Sequence, residues 1–180
     1  MTDTGPRLSV TTRLHEGALT VDARVDNLGA VDVYVHHLMT VHPERSTGAY
    51  AFHGPGDELL LLCGAPPPPP LVSPGWPGRL AASLVEPSAS LRWSLSLPLP
   101  LLEHGLVQPP DPEAAAQPHV VDCVRLLVDT QPMSPQLQVR ELTGHDAFDV
   151  WGPTPPRLEA SAFLPGPCTI RRREQFHRAW

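Results

Sequence analysis

The stretch LSVTTRLHEGALTVDARV, residues 8–25, decides the fold class. In its first half, apolar or β-branched residues at 8, 10, 12 and 14 alternate with more polar ones, and the second half repeats this at 19, 21, 23 and 25. Alternation with a period of two is typical of a strand with one buried face. His15, Glu16 and Gly17 join the two runs, and glycine adopts the positive φ that a tight connection needs. The stretch therefore predicts a β-hairpin.

Similar short segments follow, separated by turn residues. Helical periodicity is nearly absent, and the best helix-forming run, residues 113–117, is enclosed by Pro112 and Pro118. Many short strands with regularly spaced turns indicate an all-β fold. We expect a single antiparallel β-sandwich of about 8–10 strands with long Pro-rich loops, rather than a barrel, because the strands vary in length and the connections are irregular. The further predicted strands are 31–41 (with a bend or bulge partway), 49–53, 58–63, 80–85, 91–97, 120–128, 137–142, 147–151, 158–164 and 168–172.

Two segments resemble a known architecture. LTVDARVDNLGAVDVYV (residues 19–35) and LVEPSASLRWSLSLPLP (residues 84–100) are similar to the early and middle strands of bacterial immunoglobulin-like or fibronectin-like sandwiches, in which a Pro-containing turn precedes a Leu-x-Trp-x-Leu-x-Leu strand. The resemblance covers about a third of the chain and implies the fold class alone, because a fold hosts many functions. The Cys–Trp–Cys hallmark of true immunoglobulin domains is not met.

A proline tract follows the most apolar run of the chain, in LLLLCGAPPPPPLVSPGWPG, residues 59–78. Five consecutive prolines form polyproline II, which has no hydrogen bonds of its own. No charged residue flanks the tract as in SH3-type ligands, and the run before it is typical of a strand buried on both faces. We therefore expect one β-sandwich domain over residues 1–170, with Pro-rich loops near 64–78 and 98–118. Trp76 either packs its loop onto the domain or reaches for a partner.

Composition excludes several classes of partner. The net charge is −6, which gives no support for nucleic-acid binding. The three cysteines are few and odd in number, whereas a disulfide framework needs an even and denser set. Residues 1–10 lack the basic and apolar regions of a secretion signal. The longest apolar run is far too short to span a bilayer. All thirteen basic residues are arginine, which is typical of a GC-rich bacterial genome. We expect a bacterial, cytoplasmic protein that binds no membrane.

Four of the nine histidines lie within residues 36–53, namely His36, His37, His42 and His53. Neighbours in a strand point to opposite faces, so His36 and His37 cannot share one metal ion without a bulge, and His37 is expected to be a hydrogen-bonded core residue. His42 and His53 are the pair best placed to bind a metal. Their spacing matches none of the standard ligand patterns.

No motif for catalysis or cofactor binding stands out. The chain has no Gly-x-Ser-x-Gly elbow, no CxxC pair and no glycine-rich phosphate loop that opens a helix. Cys63 and Cys123 lie inside apolar strands, where thiols are usually inert. We expect no cofactor and no small-molecule substrate, and catalysis by this chain alone is not favoured.

The C-terminal RRREQFHRAW, residues 171–180, is the best candidate for a short functional motif. Arg171, Arg172 and Arg173 precede Phe176 and Trp180, and exposed aromatics flanked by arginine are typical of interface anchors. The alternative is a tail that folds back onto the protein's own acidic surface or onto a sheet edge.

Together these features predict a non-catalytic protein–protein interaction module that acts as an adaptor, an inhibitor or a structural subunit of a bacterial assembly, binding another protein or itself through the tail and Trp76. The alternative is a metal-binding protein or metal-dependent enzyme that uses the histidines of residues 36–53.

Overall fold

The computed structural model describes residues 5–39, 49–54, 56–63, 80–102, 118–143 and 146–171. Within these ranges the chain is all-β, with twelve strands and no helix, so no described segment is a helix that could cross a membrane. The strands are β1 (Pro6–His15), β2 (Ala18–Asn27), β3 (Val33–Met39), β4 (Tyr50–His53), β5 (Glu58–Cys63), β6 (Leu80–Val85), β7 (Ser90–Pro98), β8 (Leu101–Leu102), β9 (Pro118–Pro132), β10 (Gln138–Glu141), β11 (Phe148–Trp151) and β12 (Arg157–Arg171).

A three-stranded antiparallel sheet has the order β1-β2-β7. β1 and β2 pair over their whole length, and the turn between them places Glu16 and Gly17 at φ 46° and 77°. The predicted hairpin is therefore confirmed, including the glycine whose positive φ the turn requires. β7 pairs along the other edge of β2, so the two segments of the sequence that alternate most cleanly lie side by side.

A larger sheet has the order β10-β11-β6-β3-β9-β12-β8, with β5 and β4 attached beside β9. The 15-residue β9 is its central strand. One edge of β9 pairs with β12, and the other edge pairs first with β5, over residues 123–128, and then with β3, over residues 130–132. β5 has β4 on its other side, as expected of a strand buried between neighbours.

The sequence predicts an antiparallel fold, and this prediction is wrong for part of the larger sheet. β5 runs parallel to β9, and β8 runs parallel to β12. A parallel pair needs a crossover connection, and the chain passes through strands of both sheets between β5 and β9.

The strand boundaries also differ in places from those predicted. The two strands expected at 158–164 and 168–172 form one strand, β12, with a register shift between Phe163 and Cys168. The expected loop near 98–118 contains β8 and the first residue of β9, whereas the expected loop near 64–78 lies outside the described residues. The predicted irregularity in the third strand is confirmed by a register shift between His36 and Leu38 of β3.

The largest cluster of buried apolar side chains contains residues of both sheets, and two smaller clusters lie within the larger sheet. Val21 and Leu97 from the three-stranded sheet and Leu61 and Leu126 from the larger sheet are all fully buried in the largest cluster. A hydrogen bond of 2.8 Å from the Thr12 hydroxyl to the Phe163 carbonyl oxygen joins β1 to β12. Apolar side chains of the three-stranded sheet thus pack against side chains of the larger sheet, and the polar side chains of β1, β2 and β7 lie on the opposite side of the three-stranded sheet.

Candidate partner-binding surface

The structure describes one of the residues predicted to bind a partner, Arg171. It is the last residue of β12, is exposed, and lies opposite Leu102 of β8 and Pro118 of β9. The other predicted residues lie outside the described ranges, so their roles stay predictions: Trp76, Arg172, Arg173, Phe176 and Trp180 for a partner, and His42 for a metal ion.

His36 and His37 are both buried and point to different sides of β3. The Nε2 atom of His36 lies 3.1 Å from Oε1 of Gln131, and burial lowers the pKa of His36. His37 faces the three-stranded sheet: its Nε2 lies 3.0 Å from the Ser83 hydroxyl, and its ring centroid lies 5.0 Å from that of Trp93. Burial lowers the pKa of His37 to about 4. Each ring has its own partner in the core, so the two do not form a shared site.

His53, the other predicted metal ligand, lies beside His119. Their ring centroids are 4.6 Å apart, and Nε2 of His53 is 3.5 Å from a carboxylate oxygen of Asp57. The sequence alone did not single out His119, because it is distant along the chain and precedes the apolar part of β9. No group of three or more His, Cys, Asp or Glu side chains is placed to hold a metal ion in the part of the chain that the structure describes.

All three cysteines lie in the described ranges, and none forms a disulfide. Burial raises the pKa of Cys63 to about 12 and also raises the pKa of Cys168, and partial burial does the same for Cys123. A nucleophilic cysteine needs the opposite shift, towards the thiolate. Cys63 and Cys168 belong to the apolar core, so they are packing groups, as expected for Cys63, whereas Cys123 is only partly buried.

The solvent side of the three-stranded sheet carries an ordered array of polar side chains, called the polar face below. Alternation along each strand sends every second side chain to this side, and the printed registers align them in rows across the three strands. One row contains Ser9, Arg24 and Arg92, and the next contains Thr11, Asp22 and Ser94. The polar face consists of Arg7, Ser9, Thr11 and Arg13 of β1, Thr20, Asp22, Arg24 and Asp26 of β2, and Ser90, Arg92, Ser94 and Ser96 of β7.

Most of its charges are paired within the face. Arg13 lies 2.8 Å from a carboxylate oxygen of Asp22, and Arg24 lies 2.6 Å from one of Asp26. The Ser90 hydroxyl donates to Asp26 at 2.5 Å, and this bond, with that from Arg24, lowers the pKa of Asp26. Ion pairs this exposed contribute at most about 1 kcal/mol each, so they order the face more than they stabilise the fold.

The outer edge of β7 is open among the described strands, since β7 pairs with β2 alone. Two backbone hydrogen bonds at the ends of the β2–β7 ladder set its phase: the Leu99 amide donates to the Gly17 carbonyl, and the Asn27 amide donates to the Ala89 carbonyl. The odd-numbered residues of β7 are therefore those whose backbone bonds to β2. Because bonded pairs alternate along an antiparallel ladder, the amides of residues 90, 92, 94 and 96 lie in the plane of the sheet and point outward from its edge, away from β2. The side chains of these four residues are all exposed on the polar face.

The other edge of this sheet is different. β1 also pairs with β2 alone, but it lies beside β12, where the Thr12 side-chain hydroxyl donates to the Phe163 carbonyl oxygen at 2.8 Å. The outer backbone edges of both strands are thus unpaired among the described strands, and β7 is the one without a hydrogen bond to the larger sheet in the described ranges.

Sequence reasoning missed this surface although it identified both strands. The alternation at 19–25 and 91–97 already assigned Arg24 and Arg92 to solvent-facing sides. Nothing in the local sequence indicates that β7 pairs with β2, so the opposition of the two arginines could not be predicted.

Comparison of the chain with protein-family models, curated proteins and solved structures finds no match in any of the three.

Proposed function

We propose that the chain is a β-sandwich module without chemistry of its own, which binds an extended segment of another protein along the outer edge of β7. The open edge of β7 carries this proposal. Addition of a strand to an exposed edge is a recurrent mode of protein recognition, in which backbone hydrogen bonds supply affinity and alternate side chains supply specificity. An adaptor, an inhibitor or a structural subunit of a bacterial assembly would all use such an edge.

The form of β7 supports this proposal. Natural proteins blunt exposed edges with very short strands, prolines, bulges or several charges. β7 has nine residues in continuous register with β2, one charged side chain, Arg92, and a proline only at its last position. At about 3.3 Å per residue it offers an edge roughly 30 Å long.

We propose the cytoplasm as the compartment of this protein, because three cysteines spread over 180 residues are not the dense, even-numbered set that is typical of disulfide-stabilised proteins.

The experiment that tests the proposed function compares two substitutions at one position. Ser94→Ala and Ser94→Pro both remove the hydroxyl that donates to Asp22 at 2.6 Å, but only proline also removes the outward amide. Because that amide does not bond β2, proline is compatible with the sheet. Nine-residue peptides are selected from a displayed random library against the wild-type protein, and their affinities for both variants are measured by fluorescence anisotropy.

We expect the selected peptides to bind Ser94→Ala like the wild type and to lose about tenfold or more in affinity with Ser94→Pro, the equivalent of one or two backbone hydrogen bonds. Circular dichroism and thermal unfolding confirm that both variants are folded. Failure to recover any binding peptide, or equal affinity for the two variants, would overturn the proposal.

The second candidate function is metal binding through the histidines of residues 36–53. The contact of the His53 ring with the His119 ring is the observation behind it, because imidazole is a ligand that zinc accepts. His53, His119 and Asp57 are not themselves placed to hold a metal ion, so a site would need His42 or another ligand outside the described residues. Metal analysis of the purified protein tests it, together with His53→Gln and His42→Gln. Stoichiometric metal that is lost in these variants supports a site there, and protein that holds no metal excludes one.

A further inference from the structure

We propose that the segment bound at β7 is acidic at alternate positions, and that its carboxylates face Arg92 and Arg24. This inference rests on the proposed function, because it assigns a chemistry to the partner of that edge. It comes from the charges of the polar face and from the way the register places them.

The polar face is a positive surface on a negative protein. It has four arginines and two aspartates, an excess of two positive charges, whereas the whole chain has a net charge of −6. An acidic segment is therefore attracted to this surface while much of the rest of the protein repels it. Electrostatic complementarity of this kind selects partners and speeds their association.

The register places two like charges directly opposite each other. Arg24 of β2 is the cross-strand partner of Arg92 of β7. Like charges at this position destabilise a sheet unless other groups compensate them. Asp26 and the Ser90 hydroxyl, which lie next to this pair, contact Arg24 at 2.6 Å and 3.1 Å.

Arg92 is left without such a partner. Its side chain is exposed, and in the described ranges it makes no ion pair, although Asp26 is close enough for Arg92 to lower the pKa of that carboxyl. Arg92 is also the arginine of the polar face that lies on the open edge strand. A carboxylate on an added strand is in reach of Arg92 without displacing any ion pair of the sheet.

The shape of the surface fits an extended peptide. A shallow depression of about 510 Å³ opens on the polar face, bordered by Ser9 and Thr11 of β1, Asp22 and Arg24 of β2, and Arg92 and Ser94 of β7. The residue of an added strand that forms a bonded pair with Arg92 has its Cα about 5.5 Å away and its side chain on the same side of the sheet. Every second residue of the segment therefore faces the depression.

The same observations disfavour nucleic acid as the occupant. A phosphate backbone carries a charge at every nucleotide and would meet Asp22 and Asp26 as well as the arginines. A peptide strand can place acidic residues opposite Arg92 and polar residues opposite Ser94 and Ser96. The open edge of β7 also alternates backbone donors with backbone acceptors, which a peptide strand matches, whereas phosphate groups supply acceptors only.

The test uses three defined probes, fluorescein-labelled nine-residue peptides in which threonine alternates with Asp, Asn or Lys. Binding to the full chain is measured by fluorescence anisotropy at low and at high salt. Two charge-removing variants are compared, Arg92→Gln on the polar face and Arg140→Gln on β10, whose side chain is 56% exposed and distant in the strand order. Both variants lose one positive charge, so a difference between their affinities reports the position of that charge and not the net charge of the protein.

We expect the Asp peptide to bind about three- to tenfold more tightly than the Asn peptide, as one or two exposed ion pairs allow, and the Lys peptide to bind most weakly. The advantage of Asp over Asn should disappear in Arg92→Gln and at high salt, and persist in Arg140→Gln. A fluorescein-labelled oligothymidylate should bind more weakly than the Asp peptide.

The outcomes separate the inference from the function on which it rests. If the Asn peptide binds as tightly as the Asp peptide and both lose affinity with Ser94→Pro, the edge is a docking site and the acidic partner is refuted. If Arg92→Gln and Arg140→Gln have the same effect, or the oligothymidylate binds as well as the Asp peptide, attraction is nonspecific and the inference is wrong. If none of the three peptides binds while peptides selected from the library do, the inference alone is overturned; if neither the three peptides nor any library peptide binds, the proposed function is overturned as well.

Discussion

Acidification should destabilise the fold through His37, whose neutral ring the core requires. The side chain is 8% exposed and lies between the sheets, with Nε2 near the Ser83 hydroxyl and the ring against Trp93. Its Nδ1 atom is buried and has no hydrogen-bond partner among the described residues. A protonated His37 would bury a second N–H donor without an acceptor, and the neighbouring His36 further disfavours the charge.

The pKa values give the size and the pH range of the effect. The pKa of His37 falls from 6.5 to about 4 on folding, so between these values the unfolded chain binds a proton that the folded chain does not. The stabilisation is complete above about pH 6.5 and is lost as the pH falls towards 4. At about 1.4 kcal/mol per pKa unit the loss is about 3 kcal/mol in all, and most of it has occurred by pH 4.5. His36, whose pKa is also lowered, adds to the loss in the same direction.

Urea unfolding at pH 7 and pH 4.5 measures the effect in the wild type, in His37→Gln and in His15→Gln. Glutamine retains a polar contact to Ser83 but does not titrate, so His37→Gln should lose about 2 to 3 kcal/mol less than the wild type between the two pH values. His15 is 77% exposed, and its replacement should leave the wild-type pH dependence in place. If His37→Gln loses as much stability on acidification as the wild type, the burial of a neutral His37 is not what couples this fold to pH.

Three further predictions concern other parts of the chain. Asn27→Ala should lower the free energy of unfolding by about 2 to 3 kcal/mol in urea titrations, because the fully buried amide donates to two backbone carbonyls at 2.8 Å and 2.9 Å; a loss below about 1 kcal/mol would contradict this. In the native protein at pH 8, a thiol reagent followed by mass spectrometry should modify Cys123 before Cys63, whose pKa is raised to about 12, and early labelling of Cys63 would show that it is not sealed in the core. Removal of residues 172–180, which spares Arg171 at the end of β12, should abolish self-association in light scattering; unchanged association with a lower melting temperature would make the tail structural.

The sequence by itself determined the local features of the fold. Alternation in residues 8–25 specifies a hairpin, because the two strands are adjacent in the chain and Gly17 closes the turn. The burial of β5 and of the His37 ring also followed from pattern, since both depend on which side chains are apolar and which face they share. These properties are set within about ten residues, where periodicity and turn chemistry are decisive.

Tertiary structure decided which strands are neighbours and in which direction they run. The parallel pairing of β5 with β9 joins residues 58–63 to residues 123–128, and no local pattern encodes a contact at that separation. The same holds for the candidate surface. Arg24 and Arg92 were each assigned to a solvent-facing side, but their opposition depends on β7 pairing with β2 across almost seventy residues of sequence. Register between distant strands is chosen by burial of the whole core, and so the charge pattern that we propose for partner recognition exists only in the folded sheet.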